Sequence, residues 1–440
     1  MGNNTQYFLY KSTSSPPSVA LDPKNLRYLS FQGGGGKGLA YLGALAWLEQ
    51  KNTGCLPLYQ GQGSGSSITG VSGTSAGAIT ALFVSLGYAS TDIIGALQNA
   101  PISTLVDGPE PGVYSSLPAN LINTPTALES VASALFQGLF SIDPTGIAAP
   151  ESWGAVLTSL VGSGALLRFL SNDPRFGACL LFDGGFITGK KLRTFLAGAI
   201  AHSPFLTSQL KSSGSIDGTT FTFSQLKQAN AAQLAVIATN LRTFSPMVFS
   251  STTTPNFPVA DAVAMSASFP FLFKPTLIGT DYDTGCPSAS AADYPGLYAD
   301  GGLVINVPIH VFDDTPQQCD PLFLTNHPDL STLPAGMLGL RLSPGDAPSA
   351  SSGTSGYQDP TSTVNIKSFA AMVMQALQSN ANQGQLRTPL EGQQTVIIYS
   401  GGLDLLDFVP PTDPSVMTGA LRNAWTAMNS YYSVSYQPPW

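Results

Sequence analysis

The order of the opening segments constrains this chain most. Over about the first 90 residues, strand-like and helix-like runs alternate, which commits the fold to a mainly parallel sheet covered by helices. Leu26-Arg27-Tyr28-Leu29-Ser30-Phe31 partly alternates apolar and polar residues, as a strand does. After a glycine run, the stretch from Leu39 to Gln50 reads as an amphipathic helix. Gly61 to Ser67 is a flexible connection, and Ile68-Thr69-Gly70-Val71-Ser72 reads as a short buried strand. The apolar run from Ala78 to Leu86 is then a second helix. Strand-like runs return at Gln233–Thr239, Met337–Leu342 and Gln394–Tyr399, so the sheet is expected to continue to the end of one α/β domain.

Three glycine-containing segments sit at the ends of these elements. Gly73-Thr74-Ser75-Ala76-Gly77 lies between the second strand and its helix. Small residues there permit a sharp, strained turn that raises Ser75 above the sheet edge, with a helix N-terminus behind it. Gln32-Gly33-Gly34-Gly35-Gly36-Lys37-Gly38 joins the first strand to its helix. Its side-chain-free amides form an anion cradle, which in an acyl hydrolase is the oxyanion hole. Tyr298-Ala299-Asp300-Gly301-Gly302 places a carboxylate before two glycines, where the backbone bends closely around it. The same tripeptide occurs at Asp183-Gly184-Gly185, ahead of a helix-like run from Lys190 to Leu196.

Nucleotide binding fits these residues poorly. Gly33, Gly35 and Gly38 have the dinucleotide spacing, but the next strand ends in Ser72 rather than an acid. A phosphate-binding P-loop would need Ser or Thr where Gly38 stands and Gly where Phe31 stands. Charged residues make up only 10 % of the chain, against roughly 25 % in an average domain. The net charge of −8 leaves too few cations to neutralise nucleic acid phosphates or to form a broad polybasic membrane anchor. Cys55, Cys179, Cys286 and Cys319 are scattered without a C-x-x-C pair, so no metal or other cofactor is expected. Buried thiols are the simplest account of them, and a Cys286–Cys319 disulfide requires export.

Taken in this order, the segments Gly33–Gly38, Gly73–Gly77 and Asp300–Gly302 resemble the motifs of the patatin-like phospholipase family. The G-G-G-x-[K/R]-G loop is matched with Gly36 in the variable place and Lys37 as the cation. The G-x-S-x-G motif is matched with Ser75 at its centre. The late D-G-[G/A], followed by Asn and Pro, is matched by Asp300, Gly301, Gly302, Asn306 and Pro308. Asp183 lacks that tail and is read as structural. Ala262–Pro270 and Val236–Leu241 are similar to family stretches, and the end, with Leu406-Asp407-Phe408 and a helix from Ala420, is similar to bacterial members. The likeness is firm over about residues 26 to 310 and looser beyond.

The resemblance implies a three-layer patatin-like sandwich, a lipid ester substrate, and a Ser75–Asp300 dyad that works without histidine. It also implies that the Gly34, Gly35 and Gly36 amides hold the oxyanion, helped by Lys37, with Gly33, Gly38, Gly73, Gly77, Gly301 and Gly302 shaping the backbone. Two other readings stay open. One is a Ser–His–Asp esterase using His310 or His327 with Asp183 or Asp300; the other is an inactive lipid-binding module.

The expected organisation is a flexible arm over 1–25, a catalytic region over 26–312, and completing strands and helices over 313–440. Residues 100–180 read either as an inserted helical lobe or lid, or as plain core helices. Partners are expected to be a lipid or membrane interface and not nucleic acid; a protein activator and the oligomeric state have no residue signature here. There is no basic segment followed by an apolar one at the start, and no apolar run of about 18 residues. A cytoplasmic location or a signal-less export route is the expectation.

Overall fold

A computed structural model of the chain describes residues 22–50, 55–58, 68–99, 107, 184–185, 187–210, 215–270, 272–278, 294–312, 336–343, 394–403 and 413–438. The expected N-terminal arm lies largely outside these residues. The 100–180 lobe lies almost wholly outside them, as do Asp183, His327 and the three later cysteines.

The architecture is mixed α/β with a central sheet flanked by helices. Eight strands are described: β1 (Tyr28–Phe31), β2 (Gly70–Thr74), β3 (Gln233–Asn240), β4 (Ser245–Ser250), β5 (Thr276–Ile278), β6 (Gly296–Asp300), β7 (Met337–Ser343) and β8 (Thr395–Tyr399). They run in the order β5-β6-β3-β2-β1-β7-β8, with β4 paired to β3. From β3 through β8 neighbouring strands pair in parallel, while β4, β5 and β6 pair antiparallel. The apolar run of β3 suits a strand covered on both faces, and every residue of β2, the small polar Ser72 and Thr74 included, is buried.

The helices are α1 (Tyr41–Leu48), α2 (Ala76–Ser85), α3 (Ser90–Asn99), α4 (Lys190–Ala201), α5 (Pro204–Gln209), α6 (Phe223–Gln228), α7 (Val259–Ser266) and α8 (Pro414–Tyr431). The main apolar cluster joins α1, α2, α4, α7 and α8 to one side of the sheet. A smaller cluster joins Ala235, Ile237 and Met337 on the strands to Ile305, Val307, Ile309 and Phe312. Among the described residues, the segment 304–312 thus covers part of the other face.

One sequence expectation changes here. The helix read over Leu39–Gln50 as amphipathic begins as a 3-10 turn, Gly35–Ala40, and α1 is buried nearly all round. The cause is α8, which lies across its outer side. Trp47 Nε1 donates to Asn429 Oδ1 at 2.8 Å, and the Trp47 ring stacks on Tyr432 with centroids 4.7 Å apart. A Cβ on Gly43 would run into the carbonyl of Leu421. A helix sandwiched between a sheet and a second helix has no polar face to show.

Candidate active site

Strand register brings the candidate residues together. β2 runs parallel to β3 and ends with Thr74 opposite Ile237. β6 runs antiparallel to β3 and ends with Asp300 opposite Ala238. β4 occupies the other edge of β3 from Ala235 to Asn240, so β2 and β6 must share one edge and approach each other end to end. Their last residues therefore stand opposite consecutive positions of β3. Ser75 follows directly after Thr74, so a hydroxyl and a carboxylate distant in sequence meet where the two strands abut.

The turn at Ser75 is strained. Its backbone sits at φ 54 and ψ −126, a region that side-chain-bearing residues rarely occupy. Two close approaches hold it there. A Cβ on Gly73 would strike the Gly77 carbonyl, and one on Gly77 would strike the Phe31 carbonyl, so α2 starts directly against the end of β1.

Ser75 Oγ donates to Asp300 Oδ2 at 2.6 Å. The other carboxylate oxygen, Oδ1, accepts the Gly302 amide at 2.7 Å, because Asp300 caps the 3-10 turn Gly301–Leu303. Asp300 is 4 % exposed. Burial pushes its pKa up to about 6, with the hydrogen bonds from Ser75 and then from Gly302 opposing that rise.

The glycine loop wraps the same turn. A Cβ built on Gly33 would lie 3.1 Å from Ser75 Cβ, and one on Gly38 would lie 2.8 Å from Ala76 Cβ. Gly34 rests on the Leu342 side chain, and the Gly33 amide donates to the Asn306 carbonyl at 3.0 Å. Gly35, at φ 54, opens the 3-10 turn that carries Gly36 (buried) and Lys37 (half-buried). Asn306 of the sequence motif is also in place. Its Oδ1 is among the nearest atoms to a Cβ built on Gly33 and lies 2.9 Å from one built on Gly302.

The other sequence candidates are elsewhere. Ser75 Oγ is bonded to Asp300, and among the described residues no histidine shares that bond. His310 is buried within the segment 304–312. His202, the other described histidine and not a sequence candidate, is exposed at the end of α4, with Nδ1 2.8 Å from the Gly198 carbonyl. Gly184 and Gly185 of the second D-G-G pack against residues 273–275. Cys55 is a buried thiol that donates to the Pro23 carbonyl at 2.9 Å, and burial pushes its pKa up to about 12. Among the described residues, no group of three or more His, Cys, Asp or Glu could hold a metal ion. No helix there is long and apolar enough to cross a membrane.

Sequence reasoning missed the support of this pair. Ser266, the last residue of α7, accepts the Ser75 amide on Oγ at 2.9 Å and donates to the Ile237 carbonyl. Two residues on, the Ser268 carbonyl accepts the Asp300 amide at 2.9 Å. Thr239 Oγ1 donates to the Asp300 carbonyl at 2.9 Å. The tail of α7 therefore grips both candidate residues by their backbone amides, and an ion pair of buried Asp261 with half-buried Arg193 ties α7 to α4. The available signal was a pair of serines, Ser266 and Ser268, at the end of a mostly apolar helix. We expect Ser266→Ala to leave the Ser75 amide unsatisfied, lowering stability by about 1–3 kcal/mol. It should also lower kcat more than KM, which denaturant titration and ester kinetics measure together.

A family model described as patatin-like phospholipase matches residues 29–313. Uncharacterized protein R571 of Acanthamoeba polyphaga mimivirus is 33 % identical over 106 residues, which cover 24 % of this chain and 29 % of that protein. The chain thus matches less than a third of that curated relative's length. Among solved structures, VipD from Legionella pneumophila is similar at a TM-score of 0.44 and 18 % identity, over 93 % of this chain and 67 % of that one. ExoU in its complex with SpcU, from the type III secretion system of Pseudomonas aeruginosa, is similar at 0.34 and 17 %, over 94 % and 53 %. The family match covers more than half of the chain, including every motif around Ser75 and Asp300, so the chain belongs to the patatin-like phospholipase family.

Proposed function

We propose that this chain cleaves carboxylic ester bonds of lipids through a two-residue mechanism in which Ser75 is the nucleophile and Asp300 the base. The 2.6 Å bond from Ser75 Oγ to Asp300 Oδ2 carries this reading. Ser75 Oγ attacks the ester carbonyl carbon while its proton passes to Asp300 Oδ2. The tetrahedral oxyanion is held by the backbone amides of Gly34–Gly36, with Lys37 adding positive charge nearby. Asp300 returns the proton to the leaving alcohol as the carbon–oxygen bond breaks, leaving the acyl group on Ser75. A water then gives a proton to Asp300 and attacks the acyl carbon. The fatty acid departs as Ser75 Oγ recovers that proton.

Burial supports the base role. A carboxylate with its pKa pushed up to about 6 accepts protons better than an ordinary one, yet stays ionised at neutral pH. The Gly302 amide fixes the carboxylate so that Oδ2 faces the hydroxyl. The strained turn keeps Ser75 Oγ at the sheet edge rather than folded back along α2.

The test is the pH dependence of kcat/KM on a soluble nitrophenyl ester. The reactive form has Asp300 ionised, so activity should fall tenfold per pH unit below about 6, rather than below the ordinary aspartate value of 3.8. Because imidazole titrates in the same region, the profile is run beside His310→Ala. Retained turnover and an unmoved acid limb in that variant support the dyad. Loss of turnover in a folded His310→Ala protein would replace it with a triad.

A further inference from the structure

The turn between β3 and β4, Leu241 to Phe244, stands at the same end of the sheet as the catalytic pair. Ser75 and Asp300 sit at the level of Ala238, and Asn240 is two residues further along β3. At about 3.4 Å per residue the strand carries the turn roughly 7 Å past the pair before its own length is added. Phe244 is 85 % exposed and is the exposed large hydrophobic side chain among the described residues. Its backbone has φ 54, where a bulky side chain is an outlier and glycine or asparagine would be relaxed.

The turn is braced so that the ring points out. The Arg242 amide donates to Asn240 Oδ1 at 3.0 Å, and the Thr243 and Ser245 hydroxyls are 2.7 Å apart. The Leu241 amide donates to the Leu297 carbonyl at 2.7 Å, which pins the base of the turn to β6. Polar side chains stabilise the bend, and the one aromatic in it gains no burial. Arg242 and Thr243 are exposed beside it.

From this placement we infer that the β3–β4 turn docks the protein on a phospholipid surface. Phe244 enters the interface, and Arg242 meets the lipid phosphates. The inference rests on the lipid hydrolase reading, since it explains how an ester in an aggregate reaches Ser75. A chain with only 10 % charged residues and a net charge of −8 has little electrostatic attraction to spread over a membrane. An apolar side chain at the interface, next to a single cation, supplies contact without it.

The experiment compares wild type with Phe244→Gly on phosphatidylcholine–phosphatidylglycerol vesicles and on a soluble short-chain nitrophenyl ester. Removing the aromatic side chain should lower vesicle binding and vesicle hydrolysis roughly tenfold. Turnover of the soluble ester should be unchanged. Glycine suits the left-handed backbone, so the melting temperature should hold or rise, which separates the effect from misfolding. Vesicle hydrolysis equal to wild type, or an equal loss on both substrates, would overturn the inference.

A second arm does not depend on hydrolysis. In a Ser75→Ala background, Phe244→Trp should blue-shift its fluorescence on adding vesicles; an unshifted spectrum would overturn docking through this turn. If wild type cleaves neither substrate, the hydrolase reading fails, and the fluorescence arm still decides the docking.

Discussion

Ser75→Ala is expected to reduce ester hydrolysis by at least about 10³-fold while the protein stays folded. The hydroxyl is the atom proposed to form the acyl bond, and no other side chain among the described residues is placed to replace it. The strained backbone at φ 54 is common to serine and alanine, so the turn should be neither relieved nor further distressed. What changes is Asp300. Its bond from Ser75 opposes the rise caused by burial, so without the hydroxyl its pKa should climb further. Fatty acid release from phosphatidylcholine, nitrophenol release and a thermal melt, read on the same sample, check the three parts. Activity within tenfold of wild type would remove Ser75 from the chemistry.

Asp300→Asn is expected to be as inactive as Ser75→Ala, yet more stable than wild type at pH 8. Folding raises the carboxyl pKa from 3.8 to about 6. The folded state therefore prefers the protonated group. That contribution to stability is fully present below about pH 4 and is lost as the pH rises through 6. Above that window the wild type carries a buried carboxylate, at a cost of about 2–3 kcal/mol given roughly 1.4 kcal/mol per pK unit. Asparagine is neutral throughout. Its carbonyl can accept the Gly302 amide as Oδ1 does, and its amide can face Ser75 Oγ. Denaturant unfolding at several pH values should therefore show the variant gaining about 2–3 kcal/mol at pH 8 and almost nothing at pH 4. An active site that stores such a cost is a familiar trade between stability and reactivity. A variant less stable at pH 8 than at pH 4, relative to wild type, would mean that Asp300 is not a penalised buried charge.

Much of this was readable in the chain, for reasons that differ by element. The strands β3 and β8 carry uninterrupted apolar runs and β7 one broken only by Arg341, which suits the two-sided cover of a parallel sheet. The Ser75 turn was legible because Gly73 and Gly77 are needed wherever α2 and β1 approach so closely. The direction of β6 was not legible. Five residues, Gly296–Asp300, say nothing about whether a strand runs with or against its neighbour. Only that antiparallel pairing lets Asp300 end beside Thr74, so the motifs alone could associate the two residues but could not explain their meeting. The amphipathic reading of α1 failed because local pattern cannot foresee a helix arriving from residue 414 onward. The roles of Ser266 and Thr239 depend on tertiary hydrogen bonds that no spacing rule encodes.

The most direct measurement is the intact mass of the protein quenched during turnover of an ester, followed by peptide mapping. An acyl group bonded to Ser75 at pH 8, with its accumulation suppressed in Asp300→Asn, is the predicted result. Steady turnover with the acyl group on another residue, or with acylation of Ser75 unaffected by Asp300→Asn, would contradict the mechanism.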